Sequence, residues 1–158
     1  MRIGRSSGAE VTCRAVGEQT EEVRDFLARE WPAADRAIFG REVAWTSRPV
    51  LVEARAAGLL VGVAVGEAVA GMARLHDLLV TPARQGAGVG HALVEAFCAR
   101  AAELGAARCF LRCPDTERHR RFYLGCGFVQ VASIPRYYHD MDFLEFMREP
   151  LASASAGG

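Results

Sequence analysis

The stretch Leu78-Leu79-Val80-Thr81-Pro82-Ala83-Arg84-Gln85-Gly86-Ala87-Gly88-Val89-Gly90-His91-Ala92-Leu93 decides how the rest of the chain is read. An apolar, β-prone run stops at Thr81-Pro82, three alternate glycines follow, and an apolar stripe at helical spacing then begins. Without Cβ atoms the backbone can approach a ligand closely and adopt positive φ. Free N–H groups at a helix start, together with the helix dipole, make such a turn an anion site suited to a pyrophosphate. A tight strand-to-helix connection would explain the same glycines with no ligand at all, so the surrounding sequence has to arbitrate. A P-loop needs Gly-Lys-Ser/Thr, and this chain contains no Lys. A dinucleotide fingerprint needs an acidic residue about 20 positions beyond the glycines. Residues 106–113 supply none, and the parallel βαβ repeats of that fold are missing before the loop.

Outward from the loop, the N-terminal side reads as an antiparallel meander. Residues 50–56, 59–65 and 72–80 are β-branched or apolar runs separated by Gly-containing turns. Before them, residues 11–15 are short and β-prone and predict a first strand. A helix over 20–31 carries Thr20 as N-cap and Pro32 as its stop, and a shorter helix is expected over 35–44. On the C-terminal side, Val89, Leu93, Phe97, Ala101 and Leu104 share one helical stripe that Gly105 ends. A strand over 108–113, a helix from Thr116 to Gly125, and strands over 128–132 and 142–148 complete the order β-α-α-β-β-β-α-β-α-β-β.

Composition bounds the function. The chain has 158 residues, half of them apolar, which suits one domain over residues 11–150, with a disordered segment at 1–10 and a flexible tail at 151–158. Nineteen basic residues balance nineteen acidic ones, so no bulk attraction to nucleic acid or a membrane surface is expected. The longest apolar stretch falls far short of the ~20 residues of a membrane helix. The five cysteines are odd in number and lack CxxC spacing, and the four histidines show no paired ligand spacing. They read as reduced thiols of a cytoplasmic protein with no metal.

The segment Gln85-Gly86-Ala87-Gly88-Val89-Gly90 resembles the acetyl-CoA-binding motif of the GNAT (general control-related N-acetyltransferase) superfamily: Gln or Arg, two residues, Gly, one residue, then Gly or Ala. Leu78-Leu79-Val80-Thr81-Pro82 is similar to that family's fourth strand, and Phe122-Tyr123-Leu124-Gly125-Cys126-Gly127-Phe128 to its helix-to-strand segment. The resemblance spans nearly the whole chain. It implies an α/β (α+β) GNAT fold, a mixed, mostly antiparallel sheet of six to seven strands with four helices on both faces.

It also implies an acetyl-CoA-dependent N-acetyltransferase in which a primary amine of a small molecule or peptide attacks the thioester directly. The pantetheine arm would lie between strands 72–80 and 108–113, splayed apart. Cofactor contacts would come from Leu78, Leu79, Val80, Gln85, Gly86, Ala87, Gly88, Val89, Gly90, His91, Thr116 and Tyr123. By the same match Tyr123 would donate a proton to the departing thiolate, a phenol of pKa about 10 being matched to an alkyl thiol. Two positions depart from the family: Thr116 stands where relatives often carry Asn, and His119, read as solvent-facing, where they often carry Ala.

The amine must attack as its free base. Asp77 is favoured as proton acceptor over its neighbour His76, the two being expected on opposite faces of the strand. Arg118, Arg120 and Arg121 form a basic cluster that is either a solvated face or a partner for the 3′-phosphate of CoA. The acceptor pocket would draw on the 31–45 region and on Tyr137 and Tyr138 in the 135–140 loop, with Glu53 and Glu67 as further amine anchors. A homodimer is compatible with the resemblance. The competing readings are a non-catalytic acyl-CoA-binding sensor or regulator, and an acyltransferase for a larger acyl group or a peptide N-terminus.

Overall fold

The computed structural model describes residues 11–151; the segment 1–10, read above as disordered, and residues 152–158 of the tail read above as flexible lie outside the described residues, whereas Leu151, the first residue of that tail, is buried and its N–H donates to the Ala107 carbonyl at 3.1 Å. The chain divides into two compact units, one ending at Val43 and the other beginning at Ala44.

The first unit holds a single long helix, α1 (Glu21–Phe39). Thr20 caps it as expected, its side chain accepting the Val23 N–H at 3.3 Å, and Gly40 ends it at φ +70°. Two expectations fail here. Pro32 does not stop the helix, and the separate helix over 35–44 is absorbed into α1. Proline removes one hydrogen bond, but Ala33, Ala34 and Ala37 beyond it are the strongest helix formers and carry the helix onward. Residues 11–15 form no strand, because among the described residues no neighbouring strand pairs with them.

The second unit is a six-stranded sheet: β1 (Arg48–Ala56), β2 (Leu59–Val69), β3 (Met72–Val80), β4 (Arg108–Pro114), β5 (Val129–Tyr138) and β6 (Met141–Arg148), in the spatial order β1-β2-β3-β4-β6-β5. All pairings are antiparallel except β3 with β4. The helix α2 (Val89–Glu103) makes the crossover between those two, and α3 (Glu117–Gly125) follows β4. The described chain thus has three helices and a 3-10 turn at Pro82–Arg84, rather than four helices, within the expected fold class.

β2 explains how α2 can lie so close to the sheet. Its buried positions are Gly62, Ala64, Gly66 and Ala68, all small, against which Leu93, Val94, Phe97 and Ala101 of α2 pack. A Cβ on Gly66 would stand 2.0 Å from the Arg74 carbonyl oxygen and 2.8 Å from the Phe97 ring. Phe97, Phe128 and Phe146 are fully buried, each contributing roughly 2–3 kcal/mol of apolar burial.

Candidate functional site

Two irregularities in β3 build the site. The first is a bulge: Val65 pairs with Asp77 and Gly66 with Leu75, so His76 is the extra residue. The bulge shifts the side-chain alternation by one position. Ala73 and Leu75 face the core, His76 and Asp77 both face out, and Leu78 and Val80 turn back toward the core while Leu79 is exposed. The expected opposition of His76 and Asp77 is therefore corrected. They share the outer face of the sheet, the one turned away from α2.

The second irregularity is a splay. The β3–β4 ladder has only four residue pairs and ends at Leu75 with Leu111, yet β3 runs on to Val80 and β4 to Pro114. Beyond Leu75 the edge of β3 that faced β4 is open. An extended amide chain can add there as a strand would.

The splay leads into a cleft of about 940 Å³. Its walls are the end of β3 (Leu78, Leu79, Val80), the glycine loop (Gln85, Gly86, Gly88, Gly90, His91) and α3 from Glu117 to Gly125, Tyr123 included. The three alternate glycines do two different jobs. Gly86 and Gly88 adopt φ of +76° and +82° with open space where a Cβ would be, so backbone conformation demands them. Gly90 has ordinary helical geometry, but a Cβ there would meet the Phe122 ring at 3.2 Å. It lets the first turn of α2 approach α3. Gln85 spans the mouth, Nε2 donating to the Val80 carbonyl at 2.9 Å and Oε1 accepting from Arg118 at 2.7 Å.

Not every expected residue reaches the cleft. Ala87 sits exposed at the loop tip and Val89 packs against the core. Thr116 serves α3 as its N-cap, accepting the His119 N–H at 3.2 Å and contacting His119 Nδ1 at 2.7 Å. His119, expected in solvent, instead lines the cleft, and burial followed by the Arg118 charge pushes its pKa down. Glu117, Arg118, Arg121, Phe122 and Gly125 also line it. The signal for them was the helical spacing of α3, which brings residues 117, 118, 121, 122 and 125 to one side. His91 stands half-exposed, with Nδ1 3.5 Å from Cys126 Sγ and Nε2 3.9 Å from Glu95.

Tyr123 lines the cleft while 8% exposed, its ring against Phe122, Phe128 and Phe146. Burial, and then the Cys113, Cys126 and Cys109 thiols, raise its phenol above the usual value. Tyr123 keeps its O–H and is a weaker acid than a free phenol.

On the outer face, His76 Nε2 lies 3.4 Å from Glu67 Oε1, and Ser47 Oγ donates to the other Glu67 oxygen. The Ser47 hydrogen bond, then His76 and Arg74, hold Glu67 below the usual carboxylate range against a smaller desolvation effect. At the register position after Leu111, Arg112 lies over the Tyr137 ring at 5.5 Å, donates to the Tyr137 hydroxyl at 3.1 Å and approaches Glu145 at 3.5 Å. Tyr137, Tyr138 and Phe143 form one aromatic cluster. Glu53 is engaged by Arg55, and the 31–45 stretch straddles the boundary between the two units. No group of three His, Cys, Asp or Glu side chains able to hold a metal occurs among the described residues, and no helix there is long and apolar enough to cross a membrane.

No curated protein matches the chain by sequence. Solved structures do. An acetyltransferase from Bacillus cereus superposes with a TM-score of 0.67 at 15% identity, over 86% of this chain and 97% of its own. Ard1 from Thermoplasma volcanium gives 0.61 at 28% identity, over 84% and 81%. A Bacillus anthracis protein solved in complex with acetyl coenzyme A gives 0.59 at 20% identity, over 64% and 62%. The pattern of the acetyltransferase (GNAT) family matches residues 20–128, from the cap of α1 to the first residue after α3's glycine turn. With the bulged, splayed β3 and the glycine loop inside that span, the chain belongs to the acetyltransferase (GNAT) family.

Proposed function

We propose that the protein transfers an acetyl group from acetyl-CoA to a primary amine of a small molecule or peptide, by direct attack of the amine. The observation that carries this reading is the splay. It opens the core side of β3 onto the glycine-loop cleft and, at the same point, the outer face onto His76 and Asp77. A donor and an acceptor can thus approach one opening from opposite sides of the sheet.

The residues present fit acetyl-CoA. Gly86 and Gly88 offer backbone at positive φ beside the α2 N-terminus, the geometry that receives a pyrophosphate. The open edge of β3 offers Leu78, Leu79 and Val80 to the amides of a pantetheine arm. Acetyl-CoA supplies the activated acetyl thioester. This chain supplies position and protons. A backbone N–H near Val80 would bind the thioester carbonyl, a contact worth about 3–4 kcal/mol to the transition state. Tyr123 holds a proton at Oη and donates it as a hydrogen bond toward the leaving sulfur. His76 and Asp77 face the acceptor side, where the amine sheds its proton, and Glu67 orients His76. The four buried, unpaired cysteines Cys98, Cys109, Cys113 and Cys126 need take no part, and they suit a reducing cytoplasm.

Thermal denaturation with acetyl-CoA, CoA and NAD tests the cofactor assignment. At about 100 times its Kd a ligand adds ~2.7 kcal/mol. For a domain of this size that raises Tm by roughly 5–10 °C. A shift with both CoA species and none with NAD is the expected outcome, followed by thiol release with primary amines. A cooperative melt unmoved by acetyl-CoA would refute the reading.

A further inference from the structure

The outer face of the sheet beside the splay carries an apolar floor. Directly opposed residues of an antiparallel ladder share a face, with Cβ atoms about 5 Å apart. Leu51 of β1 opposes Val65 of β2, and Val65 opposes Asp77 of β3. The next row on the same face is Glu53, Val63 and Leu79. The intervening Gly62, Ala64 and Gly66 are buried toward α2, and Val50 beside Leu51 belongs to the core, so both rows point outward. Leu51 and Leu79 are 62% and 69% exposed, while Val63 and Val65 are half-buried. Leu79 also borders the glycine-loop cleft, which puts this floor at the splay itself.

The charges around the floor are matched, with one exception. Glu53 accepts from Arg55 at 2.9 Å, Glu67 is engaged by Ser47 and His76, and Glu145 lies 3.5 Å from Arg112. Arg74 opposes Glu67 in the ladder. The Asp77 side chain has no hydrogen-bond or ion-pair partner among the described residues. An uncommitted carboxylate at the end of an exposed apolar row complements a ligand that joins a cation to an apolar body. It disfavours a ligand with a carboxylate beside that cation, because Arg55, Arg74 and Arg112 already face carboxylates of the protein.

We infer that the acceptor is a small primary amine borne on an aliphatic or aromatic body, with no carboxylate beside the nitrogen. Its body lies on Leu51, Val63, Val65 and Leu79, and its nitrogen meets Asp77. The inference rests on the transfer reading above and narrows the acceptor from any primary amine to this class.

Thiol release from acetyl-CoA with phenethylamine, ethanolamine and phenylalanine tests it, in the wild type, Leu51→Gln, Val65→Thr and Val131→Thr. Ethanolamine keeps the primary ammonium and loses the apolar body; phenylalanine keeps the body and adds the carboxylate. The wild type uses phenethylamine with a kcat/KM at least about tenfold above either. Leu51→Gln and Val65→Thr set a polar group on the floor. Each raises KM for phenethylamine roughly threefold or more and changes kcat, and the use of ethanolamine, by less than about twofold. Val131→Thr, an exposed apolar site on the far edge strand β5, changes neither amine. Ethanolamine or phenylalanine used as well as phenethylamine, floor variants with unchanged KM, or an equal cost at Val131 would overturn the inference. So would a Leu51→Gln variant that melts several degrees below the wild type, because the protein itself would then cover this face. A wild type that acetylates none of the three amines overturns the transfer reading instead.

Discussion

The two faces of the sheet at the splay are built on different principles. On the face that carries α2 and α3, what a ligand would meet is backbone: glycines at positive φ, an open strand edge, and a helix start. On the outer face it is side chains: His76, Asp77 and Glu67 on one side of the splay, Arg112 and Tyr137 on the other. The backbone-made face tolerates few residue types at its key positions. The side-chain-made face keeps its geometry under most substitutions and loses chemistry instead. Mutation should therefore separate them.

The largest effect belongs to Gly66, which lies beside the bulge that serves both faces. Gly66→Ala drives a Cβ into the Arg74 carbonyl and the Phe97 ring. Neither can yield without moving a strand or emptying the core. The expected loss is about 3 kcal/mol, a fall in Tm of roughly 6–12 °C. Gly86→Ala meets no atom but must hold positive φ, at a cost of about 1–2 kcal/mol, and it should weaken acetyl-CoA binding. A Gly66→Ala variant that melts no lower than Gly86→Ala would break the distinction between glycines that make room and glycines that make a backbone shape.

Next come the outer-face side chains. The double variant His76→Gln/Asp77→Asn should reduce acetyl transfer to an amine by about 100-fold and leave the acetyl-CoA Kd within twofold. Thiol release and calorimetry on the same preparations read the two quantities. If acetyl-CoA affinity falls in step with transfer, the two faces are one site and the comparison collapses.

The same asymmetry governs what the sequence made legible. That the glycine loop and Tyr123 share one cleft could be read because backbone conformation leaves a pattern: Gly86 and Gly88 hold positive φ, and Tyr123 follows at a set distance from them. The sheet and the crossover α2 were equally plain from apolar spacing, and the buried stripe Leu93, Phe97 and Ala101 is the one expected. The misreadings came where one local rule met a competing term. At Pro32 the helix formers beyond it outweigh the lost hydrogen bond, and among the described residues, residues 11–15 have no strand to pair with. Period-two alternation set His76 and Asp77 apart because a bulge inserts a residue that no composition rule announces. The pairings Gln85–Arg118 and Glu67–His76 join residues far apart in sequence, and only the folded register brings them together.

The smallest effect sharpens the comparison through pH. Each face carries one carboxylate held below its usual range. On the helix-bearing face Glu95 is lowered chiefly by Arg148, whose guanidinium donates to both its oxygens at 2.5 and 3.0 Å and to the Cys126 carbonyl at 3.1 Å, so one pair joins α2, β6 and the end of α3. On the outer face Glu67, on β2, is lowered chiefly by Ser47 and links a loop to the neighbouring strand β3 through His76. A depressed carboxylate stabilises the fold fully above its unfolded value, about 4.3 for Glu, and that contribution disappears as pH falls through the folded value. Glu95→Gln should therefore lower Tm at pH 7 and converge on the wild type in acid, below pH ~4. Because Glu95 is nearly half exposed and screened by solvent, the gap at pH 7 should stay under about 1 kcal/mol. Glu67→Gln should show the same convergence with a smaller gap, since β2 and β3 are already joined by their own ladder. Melting curves across pH 3–7 decide the matter. A Glu67→Gln gap as large as that of Glu95→Gln would mean that the outer face contributes to holding the sheet together and is more than a surface on which chemistry is displayed.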